Sequence, residues 1–106
     1  MDRELLTEQI IAILDKKKAT NIEKIQVTKK TVMADYFIIA SGQSTTQVRA
    51  ISEDLVHDME EQHGISAKRV EGKENWRWVL IDYGDVIVHI FLAEERDFYQ
   101  LEKLWS

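Results

Sequence analysis

The side chains able to do chemistry in this sequence are few, and most of them lie far apart. The chain has three histidines, His57, His63 and His89, and no cysteine. Without thiolates, a zinc or iron site needs imidazoles and carboxylates that converge on one point. His57 and His63 lie six residues apart on a helical stretch, so helix geometry points them about 240° apart. They are read as two exposed histidines, and no metal is expected. No serine or threonine has the Gly-x-Ser-x-Gly context of a strained nucleophile. In "IASGQSTTQ" a strand passes through Gly42 into the start of a helix, whose free N–H groups would suit an anion. The ordinary reading is a strand-to-helix turn in which Gly42 supplies an unusual backbone angle and Ser44 caps the helix.

Asp82 and Asp85 are the one close pair of carboxylates beside an apolar run, "WRWVLIDYGDVIVHIF". Two-metal nucleotide chemistry needs acids clamped on one side of the site, commonly at i and i+2 on one strand face. These two instead flank a turn placed at Tyr83 and Gly84, and "DYGD" is ordinary hairpin chemistry. His89 shares a strand side with Ile87 and Phe91, while Val86, Val88 and Ile90 point the other way. It is read as a hydrogen-bonded structural residue, with a partner contact as the other role. No catalytic residue and no cofactor is expected.

The elements that position these residues follow from periodicity. Leu6, Ile10, Ile13 and Leu14 form a helical apolar stripe over about 3–17, with Asp2 as N-cap. Ile25 and Val27 suit a strand with one wet face, and "ADYFIIAS" reads as a central strand at 35–41. Ser44 and Gln47 make a capping box for a helix whose buried stripe is Val48, Ile51, Leu55 and Met59, and Gly64 stops it. "ISAKRVE" is a short edge strand, and 77–82 and 85–91 form a hairpin. Phe98, Leu101 and Trp105, with Leu104 beside them, suit a short C-terminal helix. The order α-β-β-α-β-β-β-α gives an α/β (α+β) domain with a mixed sheet and helices packed on it.

Composition narrows the function. A length of 106 residues suggests one domain over 1–106. The formal net charge of −5 argues against a free nucleic-acid binder and for a basic protein partner. The runs Lys16–Lys18 and Lys29–Lys30 are read as solvated element ends. No stretch approaches the roughly 20 apolar residues of a membrane span. "MDRELLTEQI" is unlike a signal peptide, so the start is read as mature and soluble.

"ADYFIIASGQSTTQVRAI", "WVLIDYGDVIVHIF" and "RDFYQLEKLW", in that order and spacing, resemble the signature stretches of the ribosomal silencing factor family, also called Iojap-like proteins. The resemblance covers about residues 5–105. It implies a mixed sheet of about five strands with flanking helices, related in topology to nucleotidyltransferases, and a homodimer without catalytic activity. It further implies a cytoplasmic protein that binds the large ribosomal subunit, through a protein at its subunit-joining face (the fourteenth in the large-subunit naming series). Binding there blocks subunit association and represses translation when nutrients run short. The related fold's glycine-serine motif is echoed by Gly42 and Ser44, and its i, i+2 acid pair is missing after them. On this reading the hairpin aromatics are rigid docking groups beside negative charge. Trp78, Leu80, Asp82, Tyr83 and Asp85 are the expected partner contacts, with Val79 and Ile81 turned inward. Tyr99, Leu101, Leu104 and Trp105 either form the dimer contact or pack a C-terminal helix onto its own sheet. The competing reading is a nucleotide-binding or nucleotidyltransferase-like enzyme, which ATP with magnesium would stabilise.

Overall fold

The computed structural model describes residues 3–26 and 35–95. Asp2, Val27, Lys29, Lys30 and the expected C-terminal helix, with Phe98, Tyr99, Leu101, Leu104 and Trp105, lie outside the described residues. Helix α1 spans Arg3–Lys16 and buries Leu6, Ile10, Ile13 and Leu14, the spacing that puts one apolar stripe on one face. Strand β1, Thr20–Gln26, lies at a sheet edge, but its alternation breaks at Glu23 and Lys24, which are both exposed, next to a shift in its pairing register. Ile22 therefore packs on the main core and Ile25 on the opposite face, where the sequence suggested a strand with one wet face.

Strand β2, Tyr36–Gly42, is buried along almost its whole length. Helix α2, Thr45–His63, follows after Ser44, whose hydroxyl accepts from the Gln47 backbone N–H at 3.1 Å. The Gln47 side chain reaches back one residue further than a standard box and accepts from the Gln43 N–H at 2.6 Å. Gly64 ends the helix at φ 67°, its N–H bonded to the Glu60 carbonyl. Val48, Ile51, Leu55 and Met59 are buried, and each contributes about 1.5–3 kcal/mol relative to an exposed position.

Gly42 does not take the positive φ expected of it. A Cβ there would come within 2.9 Å of the Val48 Cγ2 and 3.1 Å of the Val48 backbone nitrogen. Glycine is needed because the first turn of α2 crosses directly over the strand end.

Strand β3, Arg69–Glu71, is short and lies at the sheet edge. Strands β4, Trp78–Asp82, and β5, Val86–Leu92, complete a five-stranded sheet in the order β1-β2-β5-β4-β3. Strand β5 runs parallel to β2 and antiparallel to β4. It is the middle strand of the five, beside β2, which is also interior as its apolar run suggested, and all seven residues of β5 are buried.

The sheet has two apolar faces. Ile38, Ala40, Val79, Ile81, Val86, Val88 and Ile90 join α1 and α2 in the main core. On the other face, Phe37 and Ile87 gather with Ile25 and Leu80, and Ile39 and Phe91 gather with Ile25 and Trp78. Polar contacts tie α1 to its neighbours. The Tyr36 hydroxyl donates to the Glu4 carboxylate, and the Lys24 ammonium lies 3.3 Å from the same group. That pairing holds the Glu4 carboxyl below its usual range and raises the Tyr36 phenol.

Candidate functional site

The hairpin turn differs from the sequence expectation by one residue. Asp82 pairs with Ile87, and the Tyr83 N–H donates to the Val86 carbonyl at 2.9 Å. The two turn residues are therefore Gly84 and Asp85, not Tyr83 and Gly84. Gly84 has φ 89°, the position where a type II′ hairpin turn requires glycine. A turn at Tyr83–Gly84 would have set Trp78 opposite His89. The observed register sets Trp78 opposite Phe91 and Leu80 opposite His89.

The shift changes the fate of Tyr83. As a paired residue it continues the alternation of Val79 and Ile81 and points toward the helices. It is 7% exposed and belongs to the main core. Burial, reinforced by the nearby Glu60 charge, raises its phenol pKa. Tyr83 therefore does not share a surface with Trp78, Leu80 and Asp82, which lie half-buried on the other face. Val79 and Ile81 are turned inward, as parity suggested.

Asp82 is committed within the fold. Its Oδ1 accepts from the Gly84 N–H at 2.7 Å, and its Oδ2 lies 3.6 Å from Arg69 Nε. The carboxylate fixes the turn by occupying the N–H of the first turn residue. The Asp85 side chain is exposed at the tip, while its carbonyl accepts from the Asp35 and Tyr36 N–H groups at 2.8 and 3.2 Å. Among the described residues no three His, Asp or Glu side chains gather closely enough to hold a metal ion.

His89 sits inside an aromatic cluster on this face. Its ring centroid is 4.8 Å from Phe37 and 6.3 Å from Phe91, and Trp78 stacks on Phe91 at 4.9 Å. The Trp78 indole Nε1–H donates to His89 Nδ1 at 3.0 Å. Nδ1 must then be unprotonated, which leaves the ring proton on Nε2. Nε2 is buried and has no hydrogen-bond partner among the described residues. Burial pushes the His89 pKa down to about 4, so the ring is neutral near pH 7. That state suits a packing and hydrogen-bonding residue.

Sequence reasoning missed three features. The Trp78–His89 bond joins diagonal neighbours on one sheet face, where the expected turn would have made them directly opposite; strand pattern alone names neither the donor nor the acceptor. Two ion pairs offset charge at the edges of the site: Arg69–Asp82 at 3.6 Å and Arg77–Glu95 at 2.9 Å. Trp76 lies outside the strand, at φ 59°. A bulky side chain in the left-handed region has no sequence signal.

The fold and this surface define a class: a small α+β domain with an aromatic sheet face beside a charged hairpin turn. The family model described as "Ribosomal silencing factor during starvation" matches residues 2–106. A protein of Halalkalibacterium halodurans named ribosomal silencing factor RsfS is 44% identical over 106 residues, which is all of this chain and 90% of that one. The protein of the same name from Bacillus subtilis is 40% identical, across all of this chain and 89% of its own length. A crystal structure of a Chromobacterium violaceum protein superposes with a TM-score of 0.94 at 33% identity, covering 99% of this chain and 87% of the other. The chain belongs to the ribosomal silencing factor family.

Proposed function

We propose that this protein binds the large ribosomal subunit through a basic ribosomal protein at the subunit-joining face, and that it lowers translation by keeping the small subunit away. It acts by occupancy, as a cytoplasmic homodimer in its free state, and not as an enzyme. The observation that carries the reading is the family match along nearly the whole chain. The relatives are themselves named as silencing factors.

The proposed contacts are the half-buried Trp78 and Leu80, the neighbouring Asp82 and the exposed Asp85 at the turn tip. Large rigid side chains beside negative charge suit a basic surface. Tyr83 supports the turn from the inner face. Tyr99, Leu101, Leu104 and Trp105 remain the proposed dimer contacts. Co-sedimentation with isolated large subunits tests the reading: the chain should pellet with large subunits and stay in the supernatant with small ones. Equal pelleting with both, or with neither, would reject it.

A further inference from the structure

A groove of about 390 Å³ lies between α2 and the loop that joins β3 to β4. Trp76 lines it from the loop, Val56 and Val70 supply apolar surface, and Glu53 and Glu60 line it from the helix. Residues 53, 56 and 60 recur at helical spacing, so one face of α2 presents them together. Trp76 is held at the groove in spite of its unfavourable backbone angle. Its N–H donates to the Gly72 carbonyl at 3.2 Å, and the Asn75 side chain accepts from the Arg77 N–H at 3.2 Å.

The Trp76 ring already has one guanidinium beside it. Arg49 lies 5.4 Å from the centre of the Trp76 ring, and its Nε is 3.4 Å from the Glu53 carboxylate. An aromatic face with an adjacent carboxylate is the pair of groups that selects an arginine over other side chains. Glu60 repeats the carboxylate two helical turns further along the same face. Its side chain pairs with no cation among the described residues.

We propose that this groove binds an arginine side chain of a basic protein partner, which takes the Trp76 ring from Arg49 and adds an ion pair with Glu60. The chain's own arginine is then an internal competitor. Lys73 also lines the groove and carries the ligand's sign, so it opposes binding. The net charge of −5 favours the approach of such a partner.

The site is separate from the hairpin face. Its test uses no ribosome, so its failure leaves the subunit-docking reading standing. The test is a titration of the full-length, isotopically labelled chain with capped Gly-Arg-Gly, Gly-Lys-Gly and Gly-Glu-Gly peptides. It follows the Trp76 indole resonance, assigned with Trp76→Phe. The arginine peptide should give a saturable shift at that resonance. Glu60→Gln should weaken it about threefold, the scale of an exposed charge pair. Arg49→Gln should strengthen it about threefold, the scale of one exposed cation–ring contact released. Lys73→Gln should act in the same direction as Arg49→Gln. All three substitutions are at groove-lining or exposed positions, so the fold survives them. An equal response to the lysine or glutamate peptide, no saturable shift, or an affinity indifferent to both Glu60→Gln and Arg49→Gln would overturn the proposal.

Discussion

Replacing Trp78 with alanine removes three interactions at once, and the structure allows each to be weighed. The indole is half-buried and stacks on Phe91 at 4.9 Å. Truncating a fully buried tryptophan costs about 3–5 kcal/mol, so a half-buried one should cost about 2 kcal/mol. The lost stack adds about 0.5–1.5 kcal/mol. The lost indole donor leaves His89 Nδ1 buried without its 3.0 Å partner, which adds about 1–3 kcal/mol. These terms overlap, and the expected loss of fold stability is about 3–4 kcal/mol. Trp78→Phe keeps one aromatic ring against Phe91 and loses the donor with part of the indole's packing, so it should cost about 2 kcal/mol. Urea unfolding followed by circular dichroism separates the two variants. The Trp78→Phe and His89→Phe double-mutant cycle should show a coupling of at least about 1 kcal/mol. A Trp78→Ala protein within about 0.5 kcal/mol of the parent, the range of ordinary surface substitutions, would refute the packing argument. Binding of the folded fraction to large subunits should also weaken by at least about 2 kcal/mol if this ring is a docking hot spot.

Three further outcomes follow from the same structure. His89 has a folded pKa of about 4 against an ordinary 6.5; the unfolded chain therefore takes up the proton first on acidification, stability falls from pH 6.5 toward pH 4, and the loss is about 3 kcal/mol. Unfolding at pH 7 and pH 4.5 should show that loss in the parent and a smaller one in His89→Phe. Gly42→Ala should cost about 1–3 kcal/mol by overpacking, because its Cβ would stand 2.9 Å from Val48 Cγ2; an unchanged urea midpoint would show that α2 does not pass so close. The association rate with large subunits should fall steeply as salt rises, with a smaller change in dissociation, and a rate flat from low to physiological salt would remove the electrostatic part of the docking argument.

The legible parts of the fold were those set by local physics. Ser44, Gln47 and Gly64 bound α2 because capping is a short-range hydrogen-bond problem. Val48, Ile51, Leu55 and Met59 followed from helical period, and the face split of β4 from period two. The turn was displaced because "DYGD" allows two placements, and the strands decide between them only by pairing across the sheet. That single residue moved Tyr83 from the docking group to the core. At Gly42 the sequence suggests only backbone freedom, whereas the reason for glycine is the close approach of α2, a tertiary fact. The Trp76 groove was invisible because its parts come from residues 52–60 and 70–76, which only the folded loop brings together. Net charge suggested only a basic partner, and the family resemblance is what directed the proposal to the ribosome.

The proposed silencing depends on occupancy of the subunit-joining face. Light scattering of mixed small and large subunits measures it directly, with the chain added before magnesium triggers joining. The joined fraction should fall as the chain approaches one copy per large subunit, with the chain recovered on large subunits alone. Combined substitution of Trp78 and Asp85 should restore joining. Undiminished joining at saturating chain, with the chain bound to large subunits, would rule out silencing by occupancy, because binding would then occur somewhere other than the face the small subunit needs.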